Sequence, residues 1–269
     1  MPELPESVVM AGQMNDILRG KTIERLDLIQ PKCLNTDAEI YRERLPGKEI
    51  ISVSHFGKWI HIRLTGSVGL WMSLGMGGEV LYYTLPAVLP DNMKINVVFT
   101  DQTGFYVTLW WFGYFHLETE ALKHTMTASL GPDPLALSED DFIGKLDKAK
   151  GKIKPFLLNQ KKIRGIGNFY VQEILYQAHL HPEQPITGLS HSDKARLFQS
   201  IHQVLKQSIQ MGSSSYEFDF LGKKGGYALE TMSIAYRDDY QCPACKTTIQ
   251  KIKTGTNSQY ICPKCQELK

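Results

Sequence analysis

Leu130-Gly131-Pro132-Asp133-Pro134-Leu135 marks the point where one periodicity stops and another begins. Two prolines and a glycine within six residues continue neither a helix nor a central strand, so a hinge is expected here. On its N-terminal side, short β-branched and aromatic runs are broken by Gly, Pro and Asn, at 23–29, 50–53, 59–64, 69–73, 79–83, 95–99 and 105–109. Seven or eight short strands with such turn signals read as a sandwich or barrel. A helix over 4–19, with Leu4, Val8, Ala11 and Leu18 on a helical period and Gly20 as its stop, precedes them. A short helix over 37–45 is inserted. On the C-terminal side, apolar residues three and four apart indicate helices at 138–146, 155–160, 169–178 and 191–211. The last has Leu197, Ile201, Val204, Leu205 and Ile209 on its face and Ser190 with Asp193 at its start. Residues 213–226, rich in Ser and Gly without a period, read as a mobile loop. The fold class is therefore α+β, with domains expected at 1–130, 131–236 and 237–269.

Charge divides at nearly the same place. Residues 1–149 hold 13 Lys and Arg against 19 Asp and Glu, a net −6, whereas residues 150–269 hold 17 against 9, a net +8. A basic half of this kind fits a polyanion, although solubility alone also produces such an imbalance. At 42% hydrophobic and 22% charged, the 269 residues have the composition of a globular protein. No apolar run is long enough to span a membrane and no secretory leader pattern opens the chain, so a cytosolic protein is expected.

Two stretches in the basic half carry specific chemistry. Cys242, Cys245, Cys262 and Cys265 are spaced C-x2-C-x16-C-x2-C, which fits one structural, four-thiolate zinc. The metal would stiffen a hairpin carrying Lys251, Lys253, Asn257 and Ser258 that is too small to hold itself. Cys33, alone, reads as a buried small hydrophobe. Between Lys150 and Arg164 stand six basic residues and no acid, followed by Gly165-Ile166-Gly167-Asn168 ahead of a helix. Free amides at a helix start bind phosphate and Asn168 adds a donor, so nucleic acid becomes the expected partner.

The chain opens Met1-Pro2-Glu3-Leu4-Pro5-Glu6. If Met1 is trimmed, Pro2 presents a secondary amine whose ordinary pKa lies near 8, able to attack an aldehyde carbon and form an iminium. Glu3 and Glu6 stand beside it as candidate acid and base. Alternatively, the two prolines only hold an extended lead-in to the helix.

MPELPE, LGPDPL, IKPFLLNQ, GIGNFYVQEIL, HPEQP and the final CxxC…CPKCQ occur here in the order found in the formamidopyrimidine-DNA glycosylase / endonuclease VIII family. The chain resembles that family over its whole length, and LGPDPL, IKP and residues 213–226 resemble the formamidopyrimidine branch. The resemblance implies an N-terminal β-sandwich, a helix-two-turn-helix domain and a zinc finger. It further implies a monomer in the bacterial cytoplasm, associated with the nucleoid, that holds double-stranded DNA with a damaged base or abasic site between its domains. The implied activity is base excision followed by strand cleavage. By position, Pro2 is the Schiff-base nucleophile at deoxyribose C1′, Glu3 opens the sugar with support from Glu6, and Lys58 in Phe56-Gly57-Lys58-Trp59 approaches the sugar phosphates. Lys154 and Asn168 match phosphate-gripping positions, and Met76 matches the side chain that fills the gap left by an extruded base.

Departures from the family gather around the DNA. Thr108-Leu109-Trp110-Trp111-Phe112-Gly113 stands where the family has D-P-R-R-F-G, so Trp110 or Trp111 replaces the arginine that reads the opposite base. Indole has one donor and no charge, which removes bidentate reading and leaves stacking. Ser73 replaces the family's His, the strand histidines fall near Lys94 and Asn96, and the finger arginine falls on Asn257. These changes leave open a binding protein of the same fold without base excision, and a glycosylase specialised for bulky or cross-linked lesions.

Overall fold

A computed structural model describes residues 1–254 and 257–269, apart from the side chains of 254 and 257. The chain divides into two compact units, Met1–Ser129 with Gly212–Gly226 and Leu130–Met211 with Tyr227–Lys269.

In the first unit, helix α1 (Leu4–Leu18) leads into two antiparallel four-stranded sheets. One sheet is ordered β1 (Ile23–Leu28), β6 (Met93–Phe99), β7 (Thr103–Thr108), β5 (Glu79–Thr84). The other is ordered β2 (Ile50–Phe56), β3 (Trp59–Leu64), β4 (Val68–Ser73), β8 (Tyr114–Glu118), and α2 (Ala38–Arg44) lies between β1 and β2 in the chain. Alternation sends Ile95, Val97 and Phe99 from one sheet and Ile60, Ile62 and Leu64 from the other into one core, which Met10, Met14 and Leu18 of α1 complete. Asn96, beside the family's strand histidines by sequence, is buried instead. It accepts from Tyr83 Oη at 2.7 Å and donates to Asp27 at 2.9 Å.

Residues 213–226 are not the loose loop that their composition indicated. Phe220 is fully buried in the core just described, its carbonyl accepts from Tyr82 N at 2.9 Å, and Gln13 of α1 hydrogen-bonds both Asp219 and the Phe220 amide. The segment is held by single anchors rather than by a periodic face.

The second sheet contains a ring cluster: His61 stacks on Trp71 at 4.0 Å, Trp71 on His124 at 4.8 Å, and His124 Nδ1 lies 3.3 Å from His116 Nδ1. Burial, reinforced by His124, lowers His116 from 6.5 to about 4. The folded state therefore binds fewer protons than the unfolded chain between those values, so stability is complete above pH 6.5 and falls as pH drops through the window. By pH 4.5 His116 alone is expected to remove about 1 to 2 kcal/mol, allowing for solvent screening at a partly buried ring. Urea midpoints at pH 7 and 4.5 measure the loss, and His116→Gln is expected to reduce it, with burial of His61 and His124 sustaining the remainder.

The second unit contains α3 (Glu139–Asp147), α4 (Ile153–Leu158), α5 (Tyr170–Gln177), α6 (His191–Gln210) and the hairpin β9 (Gln250–Thr254), β10 (Asn257–Ile261). Ser138 and Ser190 cap α3 and α6, accepting from the amides of Asp141 and Asp193. The LGPDPL stretch is bolted to the turn before α5. The Arg164 guanidinium donates to Gly131 O at 3.1 Å, and a Cβ on Gly131 would meet the Lys162 carbonyl carbon at 2.6 Å. Glu173, wholly buried on α5, accepts from the amides of Ser233, Ile234 and Ala235 at 2.8–2.9 Å, fixing the chain that enters the cysteine hairpin. No helix among the described residues is long and apolar enough to cross a membrane.

Candidate active site and nucleic-acid interface

The start of α1 gathers the acidic candidates. Glu3 is the N-cap in extended conformation, and one oxygen of Glu6 accepts its amide at 2.9 Å. The other Glu6 oxygen accepts from Ser214 N at 3.1 Å, so this carboxylate ties the helix start to the 212–226 segment. Both are out of bulk water, Glu3 at 5% and Glu6 at 3% exposure. Pro2 is buried beside them. The Met1 amine, further out, pairs with Glu217 Oε1 at 2.8 Å.

Lys58 reaches the same place from the second sheet. Phe56 pairs with Trp59 across a two-residue turn in which Gly57 has φ +65° and Lys58 does not share the positive sign, the pattern of a II′ hairpin with glycine first. The turn puts Lys58 in one narrow crevice with Pro2, Ser7, Ser73 and Gly75. The Pro2 ring, the Lys58 side chain and two serines thus converge, with two carboxylates in adjoining residues. With Met1 removed, Pro2 would present a secondary amine here, and such a set has the groups needed to condense with a carbonyl and move the accompanying protons.

Gly75 joins this crevice to the next feature. Met76 and Trp111 form an antiparallel bridge, Met76 N to Trp111 O at 2.8 Å and Trp111 N to Met76 O at 3.4 Å. Trp110 is 68%, Trp111 64% and Phe112 67% exposed, and Met76 is also exposed. Phe112, which sequence reasoning did not single out, has φ +57°, an outlier for a bulky residue that only a latched loop sustains. Gly75 has φ +62°, and a Cβ there would lie 2.0 Å from Trp111 O. Gly75→Ala is accordingly expected to unlatch the two loops at a cost of about 2 to 5 kcal/mol, read as a fall in thermal stability. Gly12→Ala, whose Cβ meets nothing within 4 Å, is the control expected to leave stability unchanged or slightly raised.

In the second unit, Asn168 is exposed just ahead of α5. Its turn is braced by Gln160, which accepts from Gly165 N and donates to Ile166 O, both at 2.8 Å. Lys154 is buried in the first turn of α4, where burial lowers its pKa and Glu183 opposes the shift. Gln172 links the turn to the finger, donating to Asn168 O and accepting from Tyr260 N, both at 3.1 Å. Neither glutamine carried a signal in the sequence, because their partners are backbone atoms fixed only by the fold. Asn257 opens β10, and its side chain lies outside the described residues.

The four cysteine sulfurs lie within 4.8 Å of one another, with Cys242 and Cys265 at 3.8 Å and Cys245 and Cys262 at 3.3 Å. Tetrahedral zinc with Zn–S near 2.3 Å requires sulfurs about 3.8 Å apart, so the set fits the metal. When bound, zinc cross-links the two knuckles. With only thiolate ligands, the site is structural.

Comparison with known proteins agrees with each part. Residues 1–109 match the formamidopyrimidine-DNA glycosylase N-terminal domain, 130–219 the H2TH domain of the same enzymes, and 241–268 the zinc finger found in FPG and IleRS. The formamidopyrimidine-DNA glycosylase of Lactococcus lactis subsp. lactis is 30% identical over 272 residues, covering 99% of this chain and all of that one. That of Lactobacillus acidophilus is 31% identical over 273 residues, covering 99% of both. Among solved structures, a Lactococcus lactis Fpg complex with abasic-site DNA superposes with a TM-score of 0.90 at 30% identity, covering 98% and 99% of the two chains. The wild-type Lactococcus lactis enzyme with N7-benzyl-Fapy-dG DNA also gives 0.90 at 30% identity, covering 99% and 100%. With the match running end to end through both units and the cysteine hairpin, this chain belongs to the formamidopyrimidine-DNA glycosylase family.

Proposed function

We propose that this chain is a base-excision DNA glycosylase and abasic-site lyase, working as a monomer on damaged duplex DNA in the bacterial cytoplasm, at the nucleoid. The observation that carries the reading is the crevice shared by Pro2 and Lys58 beside the buried pair Glu3 and Glu6. Once Met1 is removed, the Pro2 nitrogen attacks C1′ of the damaged nucleoside. The glycosidic electrons leave with the base, which takes up a proton. As the ring C1′–O4′ bond breaks, O4′ receives a proton from Glu3 and an iminium joins Pro2 to C1′. The iminium acidifies C2′, and loss of that proton expels the 3′ phosphate as the strand is cut. Glu6 orients Glu3 through its backbone amide, and the Lys58 ammonium faces the phosphates of the reacting sugar. Asn168 and Lys154 grip phosphate in register, and Met76 fills the emptied stack.

Borohydride reduction of the iminium on an abasic-site oligonucleotide tests the reading. A covalent adduct that depends on the Pro2 amine supports the enzyme. No adduct on an abasic site or on any lesion of a panel would leave a damage-binding protein of this fold.

A further inference from the structure

Four large apolar side chains, Met76, Trp110, Trp111 and Phe112, stand exposed on two loops latched to each other. Exposing so much apolar surface in one place marks a surface that receives something. Neither Leu74–Gly78 nor Leu109–Gly113 carries a charged side chain, so whatever is received meets ring faces and a thioether rather than ion pairs. The backbone makes room for the rings. Gly77 has φ +73°, and a Cβ there would touch the Trp110 ring at 3.7 Å, while Trp111 is held through its own amide and carbonyl. Gly75, at the root of the patch, also lines the Pro2 and Lys58 crevice, so an occupant of the patch lies next to the reacting sugar.

We propose that Trp110 and Trp111 form an uncharged stacking platform for the base left without a partner on the undamaged strand, making this protein indifferent to which base stands opposite the lesion. The inference rests on the glycosylase reading, because extruding a lesion is what leaves that base alone. Reading a base edge takes paired donors and acceptors, which discriminate by roughly tenfold or more per base. An indole offers one N–H. Its face stacks on any base, with affinity and without sequence preference.

The test uses the zinc-loaded full chain and duplexes carrying tetrahydrofuran, an uncleavable abasic analogue, opposite A, C, G or T, with an undamaged duplex as reference. The four dissociation constants are expected to agree within about threefold, and indole fluorescence to be quenched alike by all four. The double variant Trp110→Ala/Trp111→Ala is expected to lose about tenfold or more on every tetrahydrofuran duplex and little on the undamaged one. Both positions are solvent-exposed, so the fold tolerates the change. A preference of more than about tenfold for one opposite base overturns the platform, as does a double variant that binds like the wild type. Borohydride trapping on the same preparations reports separately on the lyase, so the platform can fail while the enzyme reading stands, and the reverse.

Discussion

A chain that keeps Met1 is expected to give no borohydride-trapped adduct, while the processed chain is trapped on an abasic oligonucleotide. With Met1 in place, the Pro2 nitrogen belongs to a tertiary amide with no lone pair to offer, and the only terminal amine is that of Met1, paired to Glu217 at 2.8 Å. Removing the methionine turns Pro2 into a secondary amine of ordinary pKa near 8, partly unprotonated at neutral pH, in the crevice that Lys58 shares. The expected loss in the blocked chain is at least about 10³-fold in trapping rate, the scale seen when a covalent nucleophile is removed. Binding to the tetrahydrofuran duplex should change far less, because the proposed stacking and phosphate contacts do not involve the Pro2 nitrogen. The comparison also separates two amines. Lys58 is untouched in the blocked chain, so an adduct that persists there would come from Lys58 or the Met1 amine and end the Pro2 assignment, and peptide mapping of the reduced adduct tells the two apart. Pro2→Gly provides the second arm: it leaves a terminal amine but removes the ring that fixes its direction, and trapping is expected to be lost. Mass spectrometry of each preparation establishes whether Met1 is present.

Which parts of this arrangement could be seen in the residues follows from how each is encoded. The break near residue 130 and seven of the eight strands were legible because β-branched runs with period two and a Pro-Gly break are local signals. The strand Tyr114–Glu118 was not, because it follows three exposed aromatics, Trp110, Trp111 and Phe112, that blur any alternation into it. Residues 212–226 were misread for a related reason. Phe220 and the Ser214 amide are isolated anchors whose partners lie about 200 positions away, so no pattern within the segment announces them. Glu173 carries no signal in the sequence, because the three amides its carboxylate gathers lie some 60 residues further on. The cysteines were the opposite case. A tetrahedral ion demands two pairs on tight turns, and that demand is written directly into their spacing.

The same spacing implies a large dependence on the metal. The hairpin has strands of five residues each, and the cluster beneath it contains few apolar side chains other than Ile234, Ile249, Tyr176 and Tyr260. A two-stranded hairpin is marginal in water by itself, and structural zinc contributes on the order of 10 kcal/mol or more to modules of this kind, so the metal decides whether the finger is folded. One zinc per chain is expected by elemental analysis. Stripping it with a strong chelator is expected to open the chain to protease at Lys251 and Lys253. With β10 lost, Gln172 no longer receives the Tyr260 amide, and the turn carrying Asn168 loses a brace. Affinity for abasic-site DNA should fall by about two orders of magnitude, the loss of several phosphate contacts at once. Cys262→Ser should have the same effect at ordinary zinc concentrations. Removing a group that only hydrogen-bonds a ligand already costs about 10- to 100-fold in metal affinity, and a ligand itself costs more. Tyr176→Phe supplies that milder case, since the Tyr176 hydroxyl lies 3.1 Å from Cys242 Sγ, and it should weaken zinc retention without abolishing it. Chelated protein that stays resistant to protease and keeps its grip on abasic DNA would show that the hairpin holds itself, and the zinc would then be dispensable to the fold.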